Sequence, residues 1–131
     1  MNQAVSLKEL LNEVSSIRDK YSLSQEQADL VLRDKLGSKL WWECCNKEAS
    51  LQTCKSIFYN DKNTFKPNIN NISCSLIACS SDNITILKWL YSLSNEDLYI
   101  RDRYNDNVLS KCILEKKIDI LNWIITEVGE S

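Results

Sequence analysis

Apolar and polar positions recur with helical period along most of the chain. Ser6 opens a stretch in which Leu7, Leu10, Leu11, Val14 and Ile17 fall on one face. Lys8, Glu9, Asn12, Glu13 and Ser16 fall on the other, so one side of this helix is suited to water. Ser6 followed by Glu9 is a capping-box signature, which supplies partners for the orphan N–H groups of a helix start. Ser24-Gln25-Glu26-Gln27 repeats that signature ahead of Ala28, Val31, Leu32 and Leu36, and Gly37 stands where the second helix ends. Residues 1–37 are therefore predicted to form a pair of helices.

Beyond residue 38 the pattern duplicates. Ile84-Thr85-Ile86-Leu87-Lys88-Trp89-Leu90-Tyr91 aligns with Ile118-Asp119-Ile120-Leu121-Asn122-Trp123-Ile124-Ile125, an offset of about 34 residues. Apolar falls on apolar, and Trp89 on Trp123. Asp82-Asn83 falls on Lys116-Lys117, and Ala78-Cys79 on Cys112-Ile113. Each copy holds an apolar stretch, a short polar break and a second apolar stretch, as two short antiparallel helices would. Neither helix can bury its apolar face alone, so the copies are expected to stack, with Trp89 and Trp123 as stacking residues. Asn95 to Asp106, between the copies, is polar and suits an extended excursion with a tight turn. A more degenerate third copy precedes these. Cys44-Cys45 take its small positions, and an insertion falls near Ala49. Its Thr53, Cys54, Ile57 and Phe58 lie one repeat before Ile86, Leu87, Leu90 and Tyr91.

Composition narrows the class. One domain is expected of 131 residues, and 44% apolar with 26% charged is ordinary for a globular chain. Two glycines and one proline argue against a turn-rich β-sandwich or barrel. The abundance of Asn, Ser, Ile and Lys reads as an A/T-rich coding bias, suggesting a virus, a protozoan or an intracellular bacterium. A net charge of −2 with no basic stripe gives no footprint for nucleic acid. The apolar runs are too short to span a bilayer, and Met1 to Val5 lacks the pattern of a secretory leader. The six cysteines fall in helical patterns, where reduced Cys behaves as a small buried apolar residue. An intracellular, cytoplasmic setting is expected, or host cytoplasm or nucleus for a pathogen factor.

The duplicated unit resembles the ankyrin repeat, a β-turn plus two helices about 33 residues long. In the better copy Asp102-Arg103-Tyr104-Asn105 looks like the family's finger, with Asn105 in place of a turn glycine, since Asn tolerates left-handed backbone. Asn107-Val108-Leu109-Ser110-Lys111-Cys112-Ile113 stands where the family has Thr-Pro-Leu-His-x-Ala-Ala, with only Leu109 identical. Lys116 replaces the glycine between the helices, and Ile120, Leu121, Ile124 and Ile125 fill the apolar positions of the second helix. The copy from about Asn68 to Asp97 matches less well, with Ser73-Cys74-Ser75-Leu76 at the motif. The resemblance implies an all-α stack, an ankyrin-like solenoid over residues 38–131, covered at its open end by the helix pair 1–37.

Candidate chemistry is sparse. Without histidine, Ser-His and Cys-His nucleophile systems are excluded. Cys44, Cys45 and Cys54 lack the spacing of a zinc site, and Asp97, Asp102 and Asp106 lack that of a calcium loop. The three aspartates read as solvated finger carboxylates. Two isolated glycines rule out a glycine-rich phosphate loop. Trp41 and Trp42 point about 100° apart on a helix and read as packing, one of them against the N-terminal pair. No enzyme activity, cofactor or metal is expected. The resemblance implies instead a protein-binding module whose concave face uses finger tips and the exposed side of each first helix. That nominates Arg101, Arg103, Tyr104, Asn105 and Asp106 on the finger, Lys111 and Glu115 on the following helix, and Ile77 and Ser81 one repeat earlier. The expected partner is a protein, with no nucleic acid and no membrane. The alternative is a self-assembling structural protein, a homo-oligomer joined through exposed repeat ends or Trp41-Trp42, and solution mass separates the two.

Overall fold

A computed structural model describes residues 6–128. The first five residues, on which the expectation of no leader rests, lie outside that range. Among the described residues there are eight α-helices and no strand: α1 (Leu7–Tyr21), α2 (Gln25–Leu36), α3 (Lys39–Cys44), α4 (Leu51–Asn60), α5 (Cys74–Ser80), α6 (Ile84–Leu93), α7 (Val108–Glu115) and α8 (Ile118–Trp123). Short 3-10 turns cover Lys62–Thr64 and Asn95–Tyr99, and α8 runs on into a wider π-type turn at Ile124–Val128.

Local sequence explains the starts. The side chains of Ser6, Ser24, Ser38, Ser50, Ser73, Asn83 and Asn107 each accept from the backbone N–H three residues on. At Ser24 the reciprocal bond from Gln27 completes the capping box. The spacing of these caps carries the repeat into the backbone. Ser38, Ser73 and Asn107 open α3, α5 and α7, while Ser50 and Asn83 open α4 and α6. A third helix pair, α3–α4, thus precedes the two that align. Its connection is longer, as the insertion near Ala49 requires, and Ala49 O accepts from Asn83 Nδ2 at 3.2 Å.

The pairs lie side by side. α5 packs between α3 and α7, and α6 packs on α4. Leu40, Cys54, Leu76, Ile86, Leu87, Leu90, Val108 and Cys112 lie in one continuous buried core. Full burial of each larger aliphatic is worth about 1.5–3 kcal/mol relative to exposure. Two edge-to-face aromatic contacts repeat down the stack. Phe58 meets Trp89 at 5.8 Å, and Tyr91 meets Trp123 at 5.6 Å. Both tryptophans therefore sit between neighbouring pairs, as their shared position predicts.

α1 and α2 pack on each other around a smaller, separate cluster of Leu10, Val14 and Ala28, with Ile69 laid against it. The apolar stripe of α1 is narrower than its sequence pattern, for Leu7 and Leu11 are exposed. α2 meets the stack at α3. Trp42 donates its indole N–H to Arg33 O at 2.9 Å, and the Arg33 guanidinium lies 4.7 Å over the Trp42 ring. Trp41 is buried edge-on to Trp42, so both pack as predicted and Trp42 does so against the N-terminal pair.

Two sequence expectations are corrected. Asp97 and Asp102 are buried and Asp106 half-buried, not solvated, because each carboxylate is used as an acceptor within the fold. Ile125 does not fill the core position expected of it. It is exposed, since among the described residues no further helix pair lies beyond α8 to receive it, whereas Ile120 and Ile124 are buried.

Candidate functional site

The nominated finger is one of two equal turns standing side by side. In the second, Asp102 Oδ1 accepts from Tyr104 N and from Asp106 N, both at 2.9 Å. Asn105 N donates to Asp102 O at 3.0 Å, and Asp102 N to Asp106 O at 2.9 Å. Asn105 has φ 66°, the left-handed conformation in which Asn stands in for glycine. The same arrangement appears one repeat earlier. Asn68 Oδ1 accepts from Asn70 N and Ile72 N, Asn71 N donates to Asn68 O, and Asn71 has φ 60°. An Asx side chain bonded to the backbone two residues on mimics a backbone turn, which explains why Asp and Asn alternate at this position.

Cross-bonds clamp the two turns together. Arg103 N donates to Asn70 O at 2.9 Å, Arg103 Nε to Ile69 O at 3.2 Å, and Asn71 Nδ2 to Arg101 O at 2.7 Å. Arg101 Nη1 returns to Asn105 O at 2.9 Å. Asn68, Asn70 and Asn71 were not nominated from sequence. Their signal was an Asx followed three residues later by Asn at the repeat offset.

The structure divides the nominated residues into two groups. Arg101, Arg103, Tyr104, Asn105 and Asp106 gather on the paired turns. Lys111 joins them through Asp106, 3.9 Å away, and Asp106 also accepts from Ser110 Oγ at 3.3 Å. Arg103 is half-buried and holds the turns together. Arg101, Tyr104 and Asn105 are exposed, Tyr104 to 61%. Glu115 and Ser81 lie at the opposite ends of their helices, Glu115 closing α7 and Ser81 following α5. Ser81 Oγ donates to Cys45 O and Ile77 O, both at 2.9 Å, so it ties neighbouring pairs together. Ile77 is half-buried.

Shifted titratable groups lie within the packing. Burial pushes the Asp97 carboxyl up, opposed by its bonds to Ser75, whose N–H donates to Asp97 Oδ2 at 3.0 Å. Lys117 Nζ lies 2.8 Å from Asp82, raising the ammonium and lowering the carboxylate from their ordinary values. Hydrogen bonding to Cys112, then burial, holds the Cys79 thiol far above its usual range, and burial raises Cys45 to about 11. All six cysteines are free. A thiol held protonated and buried, as at Cys79, is a poor nucleophile, whereas the hydrogen bond from Cys79 lowers its partner Cys112. Among the described residues no three His, Cys, Asp or Glu side chains converge as a metal ion needs, and no helix is long and apolar enough to cross a membrane. An open depression of about 450 Å³ beside Asp82, Glu115, Lys116 and Lys117 mixes both charge signs. Compared with family models, with curated proteins and with solved structures, the chain finds no match.

Proposed function

We propose that this chain is a non-catalytic protein-binding module of ankyrin type, which docks to or masks a partner protein through its paired turns. The observation that carries this reading is the exposure of Tyr104 and Arg101 on a backbone already locked by hydrogen bonds. Tyr and Arg are enriched at interface hot spots, and a pre-ordered turn loses little entropy on binding. The recurrence of turn, first helix and second helix at one offset supports the ankyrin assignment. Where the family has a turn glycine and the Thr-Pro-Leu-His motif, Asn105 takes left-handed φ and Asn107 caps α7. Residue usage favours a viral or bacterial factor that intercepts a host protein as the setting.

Comparing captured proteins between wild type and an Arg101→Ala/Tyr104→Ala variant tests the reading. Arg103 is left intact because it clamps the turns. A true partner is expected to bind the variant about 30-fold or more weakly, in line with the loss of hot-spot side chains. Retention of every partner at wild-type affinity would move the binding surface away from the turns.

A further inference from the structure

Two thiols meet where the pairs α5–α6 and α7–α8 join. Cys79 Sγ lies 3.3 Å from Cys112 Sγ, and the two residues are 33 apart in sequence. Both are fully buried, Cys79 near the end of α5 and Cys112 in α7, which packs on it. A disulfide places its sulfurs about 2.05 Å apart, so the pair has only to close by about an ångström. Their surroundings single them out among the six cysteines. The hydrogen bond from Cys79 lowers the Cys112 thiol; burial and Glu115 oppose it, and the Lys117 ammonium assists. Cys54 is lowered in the same way by Cys44, but the charge beside it is the Glu43 carboxylate, which disfavours a thiolate. A thiol near a cation with a second thiol in reach is the arrangement of a redox-responsive pair. A way in lies next to it, for Asp82 and Lys117 line the open depression of about 450 Å³. Asp82 N donates to Cys79 O at 3.0 Å and Lys117 N to Cys112 O at 2.9 Å, so both cysteines lie one hydrogen bond behind its wall.

We propose that Cys79 and Cys112 form a peroxide-responsive dithiol, whose oxidation locks α5–α6 and α7–α8 together. The oxidant is hydrogen peroxide. One thiol gives up its proton and its sulfur attacks a peroxide oxygen, breaking the O–O bond to leave a sulfenic acid and one water. The second sulfur then displaces the hydroxyl from the first, and its proton leaves with that hydroxyl as a second water while the S–S bond forms. The two sulfurs together lose two electrons, and the peroxide gains them. The bond crosses from α5 to α7, so it closes a loop that contains α6 and the second turn. A cross-link of that span restricts the unfolded chain and so favours the fold. Nothing in this chemistry depends on binding at the paired turns.

The test exposes the whole reduced chain to hydrogen peroxide with and without urea, alkylates the remaining thiols and maps linked peptides by mass. The folded chain is expected to give the Cys79–Cys112 link about tenfold or more in excess over any link to Cys44, Cys45, Cys54 or Cys74. In urea that preference should vanish, and a dithiol reductant should remove the link. The oxidised chain is expected to melt about 5 °C or more above the reduced one. Cys79→Ala and Cys112→Ala should keep wild-type helical circular dichroism when reduced and gain no thermal stability from peroxide. Either variant serves as the control if the other fails to fold. Absence of the Cys79–Cys112 link in the folded chain overturns the proposal. So does a link no more frequent than the others, the same preference in urea, or a linked chain that melts no higher.

Discussion

Gly37 illustrates how a single residue serves space here. Its φ of 175° is extended backbone that any residue adopts, so left-handed freedom is not what the position requires. A Cβ built there would come within 2.3 Å of Trp41 Cε3, part of a buried indole whose N–H also bonds to Ile72 O. That ring has nowhere to move without breaking its contacts. Gly37→Ala is therefore expected to destabilise the protein by about 1–3 kcal/mol, the usual cost of overpacking a filled site. Urea unfolding of the two proteins measures it, and an unchanged midpoint would show that the indole yields freely. A helix-ending glycine was legible in the sequence; the indole over it was not, because the contact depends on how α2 and α3 are placed. The aspartates teach the same lesson in reverse. Spacing showed Asp97, Asp102 and Asp106 to be unsuited to calcium, yet only the fold reveals the backbone N–H groups that bury two of them.

At the scale of the element, α5 has the most elaborate start. Ser73 caps it by accepting from Leu76 N, and Asp97, 22 residues past Ser75, accepts from Ser75 N across the packing. Burial raises the Asp97 carboxyl in spite of these bonds, so the native state holds a proton there more readily than the unfolded chain does. The stability from this group is fully present below the ordinary Asp value near 3.8 and is lost as pH rises through the raised folded value. Asp97→Asn keeps an amide oxygen for Ser75 N–H and removes the ionisation. The variant is expected to gain on wild type as pH rises from about 4 to about 7, measured as paired denaturation midpoints. A variant that instead loses ground over that range would mean the charge on Asp97 is favoured by the α5 start. Helix starts were the most legible elements, since a Ser or Asn ahead of an apolar run states its own chemistry. The turn at Asn68–Ile72 was least legible, for its asparagines look like any polar loop until set beside Asp102 and Asn105.

The molecule as a whole has unlike ends. Its N-terminal helix pair rests on a cluster of three buried residues, Leu10, Val14 and Ala28, whereas the stack from α3 onward shares one core reaching from Leu40 to Val128. Free energy for local opening follows buried apolar contact, so a small separate cluster opens before a large continuous one. The repeated apolar pattern made the succession of helix pairs readable in advance. The exposure of Ile125 was not readable, because in sequence it is as apolar as Tyr91 and only the Trp123 ring against Tyr91 distinguishes them. A small separate cluster beside a large continuous one gives the molecule a direction: loosening begins at α1. Amide hydrogen exchange tests the loosening. α1 is expected to be protected about tenfold or more weakly than α6, exchanging by local opening while α6 waits for global unfolding. Equal protection in α1 and α6 would make the N-terminal pair and the stack a single cooperative unit. The Arg33–Trp42 contact would then carry far more of the coupling than its exposed position suggests.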